Sequence, residues 1–199
     1  GPSGAVAVRA ADEAPEETSN ARCRSFGFDA VLGPECSQCD VWEQTRLSAL
    51  VSRVVAGFHA TVLAYGQTGT GKTHTMEGPL SVERSGGPGR VRLHNRSSEP
   101  LGLTPRAITE LFERIQAKRA EAPDDRFIVK VSFLQIYKER IFDLLAPSRR
   151  GTLGAGEESG LRMRLDPALN QFYAEGLMEF ECVDAGDVFH HYYSGLQNR

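Results

Sequence analysis

The run Gly66-Gln67-Thr68-Gly69-Thr70-Gly71-Lys72-Thr73 satisfies the pattern G-x-x-x-x-G-K-[ST] at every fixed position. Each fixed residue answers a physical demand. Glycine lets the main chain curl closely round a polyphosphate, so that successive N–H groups converge on it. A helix starting directly after the loop turns its positive end and free N–H groups toward the same anion. Lys72 adds a full charge over the β- and γ-phosphates, and the Thr73 hydroxyl suits a Mg²⁺ ligand. The pattern carries this meaning only between a strand and a helix, so its flanks decide the reading.

Upstream, Ala60-Thr61-Val62-Leu63-Ala64-Tyr65 is short, apolar and partly β-branched, which predicts a buried strand. Before it, Leu47, Leu50, Val51, Val54, Val55 and Phe58 recur at helical steps. They predict one amphipathic helix, capped by Asp40 with Glu43 completing a capping box and stopped by Gly57. Downstream, Lys72-Thr73-His74-Thr75-Met76-Glu77 predicts a short helix halted by Gly78-Pro79. Residues 78–102 hold Gly86-Gly87-Pro88-Gly89 and read as a loop insertion.

Thr104 as cap and Pro105 as first helical residue open the next helix, with Ala107, Ile108, Leu111, Phe112 and Ile115 as its buried stripe. Phe127-Ile128-Val129-Lys130-Val131-Ser132-Phe133-Leu134 suits a single strand in the middle of a covered sheet. Residues 146–160 form a second loop. Leu161-Arg162-Met163-Arg164-Leu165 alternates as a half-exposed strand with a partner in residues 171–176, and residues 183–193 read as a helix capped by Asp184. Residues 1–25 form a partly flexible segment in which only Ala5-Val6-Ala7-Val8 suggests a strand.

The chain has 199 residues, enough for one good-sized domain. Its 23 Lys and Arg against 26 Asp and Glu leave a net charge of −3, which excludes a wholly basic nucleic-acid binder. Hydrophobic residues at 40% and charged residues at 25% are ordinary globular usage, against wholesale disorder. Mean hydropathy is −0.34, and no stretch approaches the ~20 apolar residues that span a bilayer. Asp12, Glu13, Glu16 and Glu17 stand where a secretory leader would be basic and then apolar. A soluble, intracellular protein with no membrane partner is the expectation. Cys36-Ser37-Gln38-Cys39 has the spacing of half a zinc site, but no H-x-x-x-H and no second cysteine pair complete it, so reduced thiols are expected.

The phosphate-loop pattern alone leaves a GTPase, an ATPase, a nucleotide kinase and a motor open. No N-K-x-D occurs to read guanine. The nearest approach to a run of apolar residues ending in Asp is Phe180-Glu181-Cys182-Val183-Asp184.

A longer stretch, Ala64-Tyr65 through the loop to His74-Thr75-Met76-Glu77-Gly78, resembles the phosphate loop of the kinesin motor domain. Phe26-Gly27-Phe28-Asp29-Ala30-Val31-Leu32 with Ser37-Gln38 and Val41-Trp42 is similar to that family's F-x-F-D-x-V-F and S-Q-x-x-V-[YF]. Gly102-Leu103-Thr104-Pro105-Arg106-Ala107 resembles its G-[IL]-[IT]-P-R-A. The run from Val129 to Glu139, with Ile141 and Asp143-Leu144-Leu145, resembles V-x-V-S-x-x-E-I-Y-x-E-x-I-x-D-L-L. Gly176-Leu177 and Gly195-Leu196-Gln197-Asn198-Arg199 follow in the same order, so the resemblance covers residues 26–199.

That resemblance implies an α/β P-loop NTPase fold, with a mainly β central sheet flanked by helices on both faces and the domain incomplete. It implies that Gly66, Gln67, Thr68, Gly69, Thr70, Gly71, Lys72 and Thr73 hold ATP or ADP with Mg²⁺ on Thr73, that Lys72 and Thr73 serve catalysis, and that His74 lies against the adenine. It also implies that the helix after the loop is split by the 78–102 insertion and resumes near Thr104. Microtubules are the implied partner, with Arg149, Arg150, Arg162 and Arg164 as candidate contacts to acidic tubulin, and the microtubule cytoskeleton of the cytoplasm the implied location. The family's N-x-x-S-S-R-S-H and D-L-A-G-S-E do not occur, and R-x-R-P is missing at the other end. The chain is therefore expected to be the N-terminal half of a motor domain, not competent to hydrolyse ATP alone, with coiled coil and oligomerisation in other segments. Another P-loop ATPase or nucleotide kinase, or a non-hydrolysing nucleotide- or tubulin-binding module, is the alternative.

Overall fold

The computed structural model describes residues 4–8, 24–78, 80–84, 91–95, 101–147 and 160–198; of 4–8, 24–25, 80–84 and 91–95 it describes the backbone alone. Strands β1 (Gly4–Val8) and β2 (Arg24–Phe28) pair antiparallel, Gly4 opposite Phe28. Helix α1 (Gln38–Gln44) begins earlier than the hydrophobic stripe predicts. Its cap is Ser37, not Asp40: the Asp40 N–H donates to Ser37 Oγ at 3.3 Å, and Ser37 N–H donates to the Asp40 carboxylate at 2.7 Å. The Ser37 hydroxyl, which donates to the same carboxylate at 2.6 Å, and then the Ser37 N–H hold the Asp40 carboxyl below the usual carboxylate range.

The predicted single helix is two. Thr45 Oγ1 donates to the Val41 carbonyl at 2.6 Å, competing with the helical ladder, and Arg46 turns left-handed at φ 54° before α2 (Leu47–Val55) begins. Leu47 and Val51 are buried, while Val54 and Phe58 at the far end of the stripe are exposed.

Residues 60–65 form no strand, a correction to the sequence reading: Leu63 is 83% and Tyr65 95% exposed. A strand exists only where a neighbour completes its ladder, and among the described residues none pairs with this segment. Helix α3 (Lys72–Glu77) follows the glycine-rich loop as predicted. The insertion carries an antiparallel pair that the sequence reading missed, β3 (Leu80–Arg84) with β4 (Val91–Asn95).

Helix α4 (Leu103–Glu121) is capped by Gly102, not Thr104, so Pro105 sits third, where the first-turn N–H is unpartnered in any case. Starting there buries Leu103, and the Gly102 N–H is spent on the Glu77 carbonyl at 3.2 Å. The end of α3 is thereby spliced to the start of α4 across the insertion, as the resemblance implied. Helix α2 lies against α4, tied by Ser48 Oγ donating to Glu110 at 2.6 Å and Arg114 bridging both residues.

The predicted strand over residues 127–134 breaks into β5 (Val129–Val131) and β6 (Leu134–Tyr137). Phe133 is diverted at the break: its carbonyl accepts from Leu144 N–H at 2.8 Å and its ring stacks on Tyr192. β6 pairs with β7 (Arg140–Asp143) in a tight hairpin. The strands β8 (Arg162–Asp166) and β9 (Gln171–Glu175) pair as predicted, and β10 (Phe180–Cys182) pairs with β5. Helix α5 (Ala185–Gln197) is capped by Asp184, whose side chain accepts from Asp187 N–H at 2.9 Å.

Among the described residues the strands form five separate two-stranded pairs among the helices. One core joins α4, α5 and the β5–β10 pair: Phe112, Cys182 and Val188, with Ile108, Val129, Val131 and Ala185 packed around them. A fully buried Phe or Val contributes roughly 1.5–3 kcal/mol. Burial also pushes the Cys182 thiol up, helped by Asp187 and Asp184.

Candidate functional site

Glycines 66, 69 and 71 all have positive φ, at 154°, 87° and 89°. An L-residue is strained there, which is the local reason the loop needs glycine at these places. A Cβ at Gly66 would stand 2.5 Å from Thr70 Oγ1 and would displace that hydroxyl. Thr70 Oγ1 donates back to the Gln67 carbonyl at 2.9 Å, and Lys72 Nζ donates to the same carbonyl at 2.6 Å. The ammonium is thereby folded back onto its own loop. Gly71 in the left-handed region is the N-cap of α3, and no side chain caps the helix. Lys72, Thr73 and His74 occupy its first turn, with Thr73 and His74 exposed.

This arrangement fits a polyphosphate. A cation is held against a loop with three positive-φ glycines, and an exposed hydroxyl follows it by one residue. A divalent cation held by Thr73 would add charge neutralisation on the phosphate oxygens.

The His74 carbonyl is doubly engaged. It accepts from Gly78 N–H at 2.8 Å and from Gln38 Nε2 at 2.6 Å. Gln38 is 6% exposed, and its Oε1 is buried without a hydrogen-bond partner. Sequence reading placed Gln38 in a motif without a role, because its partner is a main-chain oxygen 36 residues away. Arg106, from the first turn of α4, donates to Leu101 O at 2.7 Å and to Cys39 Sγ at 3.2 Å.

Arg162 and Arg164 share one face of β8 and are exposed, but Arg164 pairs with Glu175 across the hairpin at 3.1 Å. Arg149 and Arg150 lie outside the described residues. A shallow groove lined by Leu134, Met163, Phe172, Tyr173, Leu177 and Glu179 includes no residue of the phosphate loop. Among the described residues no cluster of His, Cys, Asp or Glu could hold a metal, and no helix is long and apolar enough to cross a membrane. Cys36, Cys39 and Cys182 are free thiols.

A family model described as the kinesin motor domain matches residues 5–199. "Kinesin-like protein KIN-5C" of Oryza sativa subsp. japonica is 41% identical over 167 residues, covering 83% of this chain and 15% of that protein. "Kinesin-like protein KIF11" of Xenopus tropicalis is 36% identical over 169 residues, covering 84% of this chain and 14% of that one. The chain thus spans a small fraction of these curated relatives. A solved structure, "Structure of a fast kinesin: Implications for ATPase mechanism and interactions with microtubules", matches with a TM-score of 0.67 at 27% identity, covering 88% of this chain and 42% of that one.

Proposed function

The chain belongs to the kinesin motor-domain family, and from that premise we propose that it supplies the ATP-binding part of a microtubule motor. The observation that carries the proposal is the loop at residues 66–73: three positive-φ glycines lead into an uncapped helix whose first residue is Lys72.

In this reading the loop amides and Lys72 hold the β- and γ-phosphates. Thr73 would hold Mg²⁺, which would supply charge neutralisation, and His74 would lie against the base. Lys72 is the group of this chain that opposes the charge growing on the transferred γ-phosphoryl, by an interaction strengthened where water is excluded. Its bond to the Gln67 carbonyl keeps the ammonium over the loop, so little reorganisation is needed when phosphate takes that oxygen's place. Arg162 and Arg164 on the β8–β9 hairpin offer a salt-sensitive contact to acidic tubulin. Arg149 and Arg150 are proposed with them from their place in the sequence alone. The microtubule cytoskeleton is the location that follows.

The test uses the full-length protein that carries this chain. It should bind Mg·ADP by calorimetry, and its ATP turnover should rise when microtubules are added. Lys72→Ala should abolish nucleotide uptake. Turnover indifferent to microtubules would point instead to another P-loop enzyme, and microtubule binding without turnover to a non-hydrolysing module.

A further inference from the structure

The helix that carries Lys72 and Thr73 buries none of its six residues, and no side chain caps its start. Lys72, Thr75, Met76 and Glu77 are half-buried, so packing fixes it only in part. Two polar ties add to it: the splice from Gly102 N–H to Glu77 O at its end, and the amide of Gln38 on the His74 carbonyl in its first turn. We propose that Gln38 is a positioning residue for nucleotide binding, holding the first turn of α3 so that Lys72 and Thr73 face the phosphates. The inference rests on the reading of residues 66–73 as a phosphate loop.

Three features support it. His74 adjoins Thr73 in the same turn, so a shift of its carbonyl moves both phosphate-facing residues. Gln38 itself sits on a rigid base, in the first turn of α1, which the reciprocal Ser37–Asp40 bonds hold shut. Finally, the side chain bears a cost that mere space-filling would avoid. Its Oε1 is buried and unpartnered, and an apolar side chain of equal length would fill the same volume without that penalty. What the amide adds is the N–H end, and that end is on His74.

The experiment is calorimetric titration of the full-length protein with Mg·ADP, alongside thermal melting. Gln38→Met keeps the length and removes both the donor and the orphaned acceptor. It should melt within about 2 °C of the native protein and bind Mg·ADP about three- to tenfold more weakly, the worth of one neutral hydrogen bond. Unchanged affinity, or a loss that merely tracks an equal fall in melting temperature, overturns the role. Should Gln38→Met fail to fold, Gln38→Glu decides. At pH 8 its carboxylate faces the His74 oxygen and affinity should fall; at pH 5 the protonated acid can donate and affinity should return to within about twofold of the native protein at that pH. A ratio that does not change with pH overturns the proposal. Native protein that takes up no Mg·ADP removes the phosphate-loop reading as well, whereas native binding with indifferent variants removes only Gln38.

Discussion

Replacing Gly102 by alanine tests the splice between α3 and α4. Gly102 has φ −70° and ψ −174°, which any residue adopts, so the substitution carries no backbone penalty. The added methyl would stand 2.5 Å from Gly78 N and 2.6 Å from Glu77 C, both main-chain atoms, where ordinary contact begins at 3.4 Å. The two segments must part by roughly 0.9 Å, which takes the 3.2 Å bond from Gly102 N–H to Glu77 O out of reach. Overpacking of this kind costs about 1–3 kcal/mol, and the lost bond about 1 kcal/mol. A destabilisation of about 2–4 kcal/mol lowers the melting temperature of a chain this size by about 5–15 °C. Gly57→Ala is the control: φ is 94° there and nothing lies within 4 Å of the new Cβ, so it carries only the left-handed penalty of about 1 kcal/mol. Because the splice ends the helix bearing Lys72, Gly102→Ala should also weaken Mg·ADP binding, and Gly57→Ala should not. A Gly102→Ala protein melting within about 2 °C of native refutes the splice.

Asp143 accepts main-chain N–H bonds from Leu145 and from Met178, each at 2.8 Å; Asp143→Ala should cost about 2–4 kcal/mol in urea unfolding, and a change under about 0.5 kcal/mol would discredit the tie. Cys182 is buried with its thiol pushed up, whereas Cys39 is exposed. In iodoacetamide labelling at pH 8, Cys39 should react at least about tenfold faster than Cys182, and equal rates would contradict the packing of α5 on β10. His191 stacks on Phe180, and burial, then His190, lowers its pKa against the opposing pull of Asp187. The unfolded chain therefore takes the proton first, so this contribution is complete above about pH 6.5 and is lost as pH falls below it. Melting temperatures from pH 7.5 to 5.5 should fall more steeply for native protein than for His191→Gln; parallel declines would exclude the effect.

Features whose cause is local were legible in the sequence. The left-handed glycines at 66, 69 and 71, the halt of α3 at Gly78 and the Asp184 cap each depend on a few neighbouring residues. The β8–β9 pair declared itself by alternation. β3 and β4 did not: Leu80-Ser81-Val82-Glu83 and Val91-Arg92-Leu93-His94 also alternate, but each is short and the glycines between them read as a loop. What stayed hidden depends on partners far along the chain. The break at Phe133 exists because Tyr192 and Leu144 claim that residue. Residues 60–65 carry every strand signal, yet pairing is not a property of the segment that is to be paired. Gln38 acts on a main-chain oxygen, which leaves no trace in residue identity.

The matched motifs outside the phosphate loop turn out to be joints. Asp143 fastens Met178; Asn198 Nδ2 donates to Leu144 O at 2.7 Å; Gly195 passes so close to the Phe133 ring that a Cβ would overlap it. A contiguous series therefore runs from the phosphate loop through Gln38 and Gly102 to α4, across the core of Phe112, Cys182 and Val188 to α5, and on to Leu144. The polar ties in it are worth about 1 kcal/mol each, while the apolar core between them is worth several times more. A ligand that binds two arrangements with affinities differing by a few kcal/mol can exchange such ties without opening that core. Fastening the helix after the loop largely by hydrogen bonds and close glycine contacts, with the larger apolar core in the body behind it, is the division of forces that the proposed function requires.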